Sequence, residues 1–269
     1  MASLRRVLAV VLRQYYLLRG SLSRTVPLFA WVAVDMILWG FLTRYLNTVT
    51  ASSALNFVPV LLGAVLLWDF FIRIMQGVTM AFFEDVWSRN FLNIFATPLL
   101  IPEYVGGLVV SSMITSIAGV IAMLLIAVLW FKLSILAYGI MMVPFLLSLF
   151  LFGIALGIFG CALVLRFGPA SEWFIWPIPA LISPFAGVLY PVSTLPHWMQ
   201  GIARILPPSY IFEGLRTIVS GGAVQWSLLI WSICLAAGYI LLAYGCFVRV
   251  YKHALRTGLI ARYSAENLS

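Results

Sequence analysis

The amino-acid sequence predicts an all-α polytopic membrane protein that forms a single domain over residues 1–269. Hydrophobic residues make up 64% of the chain and charged residues only 9%. Several apolar runs reach the roughly 20 residues that a helix needs to cross a bilayer, and they lack the alternation typical of barrel strands. Because a backbone inside lipid must satisfy its own hydrogen bonds, helices are the expected spans.

Six transmembrane helices are predicted from these runs. They lie at about 26–46, 57–81 and 104–131, within 133–165, from the turn RFGPASEW to about 190, and at about 226–248. The fourth run is longer than one crossing needs, so we expect its start to be interfacial or its helix to be tilted or kinked. Its glycines Gly153, Gly157 and Gly160 predict a seam of close contact with another helix.

The arginine-rich segment 1–24 is predicted to be an amphipathic helix at the membrane surface. Leu4, Val7 and Leu8 fall on one helical face, whereas Arg6 and Arg13 point the other way. Such a helix binds the lipids of an anionic cytoplasmic leaflet. A signal peptide does not fit, because Arg13 interrupts the apolar stretch and no small-residue cleavage site follows.

The distribution of Lys and Arg predicts that both termini lie in the cytoplasm. With the N-terminus inside, twelve of these residues are cytoplasmic and four are external, namely Arg44, Lys132, Arg204 and Arg216. This asymmetry follows the positive-inside rule. The net charge of +8 belongs to the same asymmetry and gives no indication of nucleic-acid binding.

The polar segment 84–97 is predicted to be a short cytoplasmic helix at the membrane surface. Glu84 and Asp85 suit the start of a helix because its dipole favours anions there, and Pro98 cannot continue it. Its residues alternate between a polar and an apolar face. The polar residues are Glu84, Asp85, Arg89, Asn90 and Asn93, and the apolar ones are Trp87, Phe91, Leu92, Ile94 and Phe95.

The external segment 191–222 is predicted to form re-entrant helices. Eight of the thirteen prolines fall between Pro169 and Pro208, and the apolar pieces between them are too short to cross a membrane. Backbone of this kind is tolerated at depth only where it is buried in protein or lines a cavity, so the segment is a candidate gate. Its candidate residues are Trp198, Glu213 and Arg216. Glu213 and Arg216, spaced i,i+3, are better suited to holding the helices together than to touching a substrate.

Charged residues inside the spans are candidates for the translocation path, because each costs roughly 2.5–3.5 kcal/mol at mid-membrane. Asp69 has Arg73 at i+4, which predicts an intrahelical pair near the cytoplasmic end of the second span. Asp35 has no local partner, so it either lines the path or forms an interhelical hydrogen bond. The spacing of cysteines and histidines indicates no metal site.

The order of these features resembles that of the type-2 ABC exporter permeases, over essentially the whole chain. The resemblance is carried by the acidic pair and short polar helix that ends in ATPL, and by LPPSYIFEGLRTIVSGG near the end. Members have an N-terminal interfacial helix, six spans, a cytoplasmic coupling helix and external re-entrant helices. The resemblance implies export of a lipid, glycolipid, polysaccharide or amphipathic drug across the plasma (bacterial inner) membrane.

The resemblance also implies partners. Segment 84–97 corresponds to the coupling helix that docks on a separate ATPase subunit, and the residues expected there are Glu84, Asp85, Trp87, Arg89, Asn90, Phe91 and Asn93. The expected assembly contains two ATPase subunits, which bind ATP and Mg, and a second permease, as a homodimer. No cofactor is expected in this chain. The sequence has no GxxxxGK[ST] phosphate-binding loop, so the chain is not expected to be the enzyme.

Two alternatives use the same residues differently. A proton-coupled secondary transporter would use Asp35 or Asp69 as a proton relay, although such carriers usually show an internal repeat that this sequence lacks. A membrane-embedded transferase or hydrolase would need a reactive cluster on one membrane face, yet His197 and His253 fall on opposite predicted sides.

Overall fold

A computed structural model describes residues 2–49, 58–88, 93–94, 96–133, 139–168, 171–223 and 225–258. These residues form helices joined by turns, with no strand among them, which confirms the all-α prediction. The helices are α1 (Ala2–Arg19), α2 (Leu22–Val49), α3 (Gly63–Trp87), α4 (Ile101–Phe131), α5 (Met142–Phe167), α6 (Glu172–Ile175), α7 (Ile178–Ala186), α8 (His197–Ala203), α9 (Pro207–Val219) and α10 (Trp226–Arg256). A π-helical turn (Val58–Leu62) precedes α3, and 3₁₀ turns lie at Gly139–Met141 and Val192–Thr194.

Within the described part of the chain, five helices are long and apolar enough to cross a membrane. They are α2, α3, α4, α5 and α10, which correspond to the predicted spans one to four and six. The predicted fifth span is instead divided between α6 and α7. The apolar helical stretch there, Trp173–Ala186, extends about 21 Å at 1.5 Å per residue, less than the ~30 Å bilayer core. The prediction of six spans is therefore not confirmed.

Proline explains the division of that segment. Pro177 and Pro179 flank the first residue of α7, and Pro184 lies inside the helix. Proline has no N–H and its ring clashes with the preceding turn, so a continuous helix through α6 and α7 is disfavoured. Gly187 ends α7 in the left-handed conformation, with φ of 63°. A β-carbon there would also lie 2.9 Å from Val192 Cγ2, so the turn requires glycine.

The core lies where α3 packs against α5, the two long helices that bury the largest share of their residues. The predicted glycine seam is confirmed at this contact. A β-carbon at Gly157 would lie 2.9 Å from Val78 Cβ, and one at Gly160 would lie 2.8 Å from Thr79 Oγ1. The Thr79 hydroxyl also donates a hydrogen bond to the Gly157 carbonyl (3.2 Å). Small residues let the two backbones approach closely, which strengthens packing inside a membrane.

The last long helix joins segment 191–222 to this core. α10 packs along α5 and against α9. Ser232 on α10 donates a hydrogen bond to the carbonyl of Pro207 (2.9 Å), where α9 begins. Its hydroxyl also lies 2.6 Å from that of Ser148 on α5. All three polar groups are buried, so this bonded junction fixes the position of α9.

The N-terminal segment forms a helix that packs along α4. α1 ends at Arg19, and Leu22 already begins α2, so the last residues of predicted segment 1–24 belong to the first span. Segment 191–222, which is predicted to be external, folds as a 3₁₀ turn followed by α8 and α9, which agrees with short helical pieces between prolines. That α1 lies at the membrane surface, and that α8 and α9 re-enter the membrane, remain predictions.

Candidate functional site

Three polar side chains meet where α3 ends and α4 begins. Asp85 near the end of α3 is fully buried. Arg13 of α1 binds it through both guanidinium ends, with Nη1 2.9 Å from Oδ2, and the hydroxyl of Tyr104 on α4 donates to the same Oδ2 (2.5 Å). Hydrogen bonding to Asp85 raises the pKa of Arg13 above its ordinary value. We call Arg13, Asp85 and Tyr104 the Asp85 cluster; it joins α1, α3 and α4 by charge-assisted bonds.

A second ion pair lies nearby, between α1 and the first turn of α4. Arg6 Nη1 lies 3.3 Å from Glu103 Oε2. The same Glu103 oxygen accepts a hydrogen bond from the backbone N–H of Leu100 (2.9 Å), so it also caps α4. Between the two ion pairs, Gly107 leaves room for α1, since a β-carbon there would lie 2.5 Å from Val10 Cβ. α1 is thus held to both ends of the connector 88–100 that links α3 to α4.

The predicted start of the coupling helix at Glu84 is wrong. Glu84 to Trp87 form the last turn of α3, and Ser88 follows as its cap. Acidic residues are unusual at a helix C-terminus because the dipole opposes them, but here Arg13 balances the charge of Asp85. The sequence could not show this, because the partners lie 72 residues apart.

The residues expected to touch an ATPase therefore differ in accessibility. Trp87 is 50% exposed and Asn93 is also exposed, whereas Glu84 is half-buried. Asp85 is enclosed by its own chain, so it has no surface to offer a partner. The remaining coupling residues, Arg89, Asn90 and Phe91, lie outside the described residues.

A cleft of about 530 Å³ lies between α2, α3 and α4. Its lining includes Asp35 of α2 together with Asp69 and Arg73 of α3. The charges of these three side chains act on one another. The structure thus places Asp35 in the same cleft as Asp69 and Arg73, although they lie on another helix, and brings these three predicted path residues into one site.

This cleft lies at mid-helix. Arg73 precedes Trp87, the end of α3, by 14 residues, or about 21 Å of helix. Asp35 follows Leu22, the start of α2, by 13 residues, or about 20 Å. The structure thus places Asp69 and Arg73 near the middle of α3 rather than near its end, and their distance from the cytoplasm stays a prediction. The physical reason for their place in the helix is that α3 continues six residues past the predicted end at residue 81.

The cleft also contains polar residues that sequence reasoning missed. Gln76 on α3 and Thr115 and Ser116 on α4 line it, with Trp31 and Trp176 at its sides. A signal was available for Gln76, because Asp69, Arg73 and Gln76 recur at i, i+4 and i+7, which places them on one helical face. Nothing local to the α4 sequence distinguished Thr115 and Ser116 from other small polar residues.

Glu213 and Arg216 of α9 bond to each other and to the backbone of residues 187–192. Glu213 Oε1 accepts hydrogen bonds from the backbone N–H of Val192 (2.6 Å) and from Arg216 (3.2 Å). Arg216 also donates to the carbonyls of Gly187 and Val188, and burial lowers its pKa. These bonds agree with the role of holding the helices together. Trp198 is exposed and makes an edge contact with Phe185, and a gating role for all three residues stays a prediction.

The sequence model of the ABC-2 type transporter family matches residues 7–219. The chain belongs to the ABC-2 type transporter family. The match runs from α1 to the end of α9, so it includes the Asp85 cluster, the connector and the cleft. A comparison with curated proteins finds no match. As an ABC-2 permease, the chain is an integral membrane subunit of an ABC transporter, and the family assignment does not favour a proton-coupled carrier.

Proposed function

We propose that this ABC-2 permease is the membrane subunit of an ATP-driven exporter and that a separate ATPase subunit docks on its connector 88–100. The family match over residues 7–219 carries the proposal. The absence of a phosphate-binding loop from the sequence supports a division of labour in which partner subunits bind ATP and Mg. The assembly we propose has two ATPase subunits and two copies of this permease.

The Asp85 cluster supports the proposal that motion of the ATPase is transmitted to the membrane helices through the connector. The two ends of the connector are held together, because Asp85 at the end of α3 accepts hydrogen bonds from both Tyr104 at the start of α4 and Arg13 of α1. A displacement of the connector would therefore move α1, α3 and α4 together. Since α2, α3 and α4 form the cleft, this motion would reach the site that contains Asp35, Asp69 and Arg73.

We propose a lipid, glycolipid, polysaccharide or amphipathic drug as the exported cargo, and the plasma membrane as the location, with both termini in the cytoplasm. The charge asymmetry of the sequence supports this orientation. In this orientation, α8 and α9 form a gate at the external end of the translocation path. The bonds of Glu213 to Val192 and Arg216 would then hold this gate as one body.

Charge reversal at the end of α3 and on the connector that follows it tests the coupling proposal. Glu84→Lys and Arg89→Glu should insert and fold normally, yet lose ATPase co-purification or coupled ATP hydrolysis in reconstituted vesicles, because charges at an interface select the partner. The matched control is Arg204→Glu, which reverses a charge on the predicted external side. If Glu84→Lys and Arg89→Glu both keep full ATPase binding and fully coupled transport, the connector is only a link between spans and the assignment fails.

A further inference from the structure

The cleft between α2, α3 and α4 has an unbalanced charge. Of the described residues that line it, Asp35, Asp69 and Arg73 are ionisable, so two acidic groups and one basic group give a formal charge of −1. Arg73 interacts electrostatically with both carboxylates. An anionic ligand would therefore meet a guanidinium whose charge is already opposed. A cation would instead meet an excess of negative charge, which favours it inside a site of low dielectric.

Two oxygen atoms in the cleft also lack hydrogen-bond partners. Within the described part of the chain, neither Asp69 Oδ2 nor Ser116 Oγ has one, although both atoms are buried. Ser116 is only 2% exposed and lines the cleft. Buried polar groups are almost always satisfied in folded proteins, and exceptions often mark functional sites. Asp69 Oδ2 is an acceptor and the Ser116 hydroxyl can also accept, so a protonated amine between the two helices would satisfy both atoms, whereas a quaternary ammonium or phosphonium ion would be attracted only by the negative charge.

The remaining walls suit an apolar body. Trp31 and Trp176 line the cleft, and Ile72 and Met80 extend the apolar lining. The faces of tryptophan rings attract cations, most strongly when water is excluded. The volume of about 530 Å³ falls within the ~300–1,000 Å³ typical of sites for drug-sized ligands.

We propose that this cleft binds a cationic amphiphile, a molecule that joins a quaternary ammonium, phosphonium or protonated amine to an apolar body. The inference rests on the proposed exporter function and names a cargo class for it. Asp69 and Asp35 bind the cation, Arg73 keeps the two carboxylates together, and Trp31 and Trp176 enclose the apolar part. The site lies between three of the helices that are long and apolar enough to cross a membrane.

A pair of probes with the same shape and opposite charge tests this proposal. The full-length permease is purified in dodecyl maltoside, a detergent with neither charge nor amine, and binding of radiolabelled tetraphenylphosphonium is measured by equilibrium dialysis. Saturable binding of one tetraphenylphosphonium per chain is expected, whereas tetraphenylborate should show none. Equal saturable binding of both ions, or none of the cation, would overturn the proposal.

Variants then locate the site. Asp69→Asn should weaken tetraphenylphosphonium binding at least about tenfold, because it removes a desolvated charge contact, while Asp69→Glu keeps the charge and should remain within about threefold of wild type. Glu266→Gln is the control for a change in net charge alone. If Asp69→Asn fails to fold, Asp35→Asn makes the same test at a half-buried position. Unchanged affinity in a folded Asp→Asn variant would contradict the assignment.

Competition separates two sources of the cation. Displacement of tetraphenylphosphonium by phosphatidylethanolamine, but not by phosphatidylglycerol, would assign the site to an amine-bearing lipid headgroup. Displacement by neither lipid would assign it to a free cationic amphiphile. Both outcomes support the proposal, whereas displacement by phosphatidylglycerol alone would contradict it. Because these measurements use neither ATP nor the ATPase, their failure would leave the coupling test on the connector unaffected.

Discussion

Removing Arg13 should destabilise the permease more than neutralising its partner Asp85. The asymmetry follows from burial, because the side chain of Asp85 is 0% exposed while that of Arg13 is 29% exposed. In Arg13→Met, a carboxylate stays in the interior without its cation. In Asp85→Asn, the guanidinium that is left behind can still reach water.

The magnitudes follow from the same geometry. Breaking a buried ion pair by removal of one partner costs about 3–5 kcal/mol. Tyr104 still donates a hydrogen bond to Asp85 in the Arg13→Met variant. We therefore expect a loss of folding stability at the lower end of this range, about 3 kcal/mol. Asp85→Asn keeps an oxygen acceptor and leaves a partly hydrated cation, so its loss should be about 1–2 kcal/mol.

The assay is thermal unfolding of the purified permease in detergent. The fraction of protein that stays monodisperse is measured as the temperature is raised. Arg5→Met is the matched control, because Arg5 is an exposed residue of the same helix and its loss should change stability by less than about 0.5 kcal/mol. Equal stability of Arg13→Met and Arg5→Met would refute the structural role of the Asp85 cluster. A larger loss in Asp85→Asn than in Arg13→Met would refute the argument from burial.

Two further predictions concern orientation and the external gate. Single cysteines at Ser52 and Gln200 should react with an impermeant thiol reagent added to intact cells, while one at Ser88 should react only after permeabilisation; labelling of Ser88 from outside would reverse the topology. Gly214→Phe should lower export without lowering assembly, because a β-carbon at Gly214 already lies 3.1 Å from Phe145 Cζ and a ring would displace α9 from α5. Gly201→Ala is its control, with nothing within 4 Å of the added carbon, and full export by Gly214→Phe would count against the gate.

The sequence alone predicted the features that depend on local pattern. Apolar runs long enough to span a bilayer predicted the five long helices of the described chain to within a few residues at most ends, and the spacing of Gly153, Gly157 and Gly160 predicted close contact with another helix, which is α3 in the structure. Proline density identified 191–222 as a set of short helices. In each case the signal lies within one segment, so no knowledge of distant contacts was needed.

The sequence could not predict features that depend on partners far along the chain. Because the dipole favours anions at a helix start, the sequence predicts that a helix begins at Glu84 and Asp85, but in the structure Arg13, 72 residues away, balances the charge of Asp85 at the end of α3. Asp35 had no visible partner because Asp69 and Arg73 lie on another helix. The division of the predicted fifth span is a different case, because Pro177, Pro179 and Pro184 are visible in the sequence and keep the helices there shorter than a bilayer core.

Photocrosslinking at two exposed tryptophans tests the central claim that the ATPase docks at the cytoplasmic connector. Trp87 at the end of α3 is 50% exposed and Trp198 in the external segment is 65% exposed, so each can be replaced by benzoylphenylalanine with little change in packing. On irradiation of membranes that contain both subunits, the variant at position 87 should form an adduct with the ATPase, and the variant at position 198 should form none. An adduct from position 198, or none from position 87 in a complex that still hydrolyses ATP, would contradict the account.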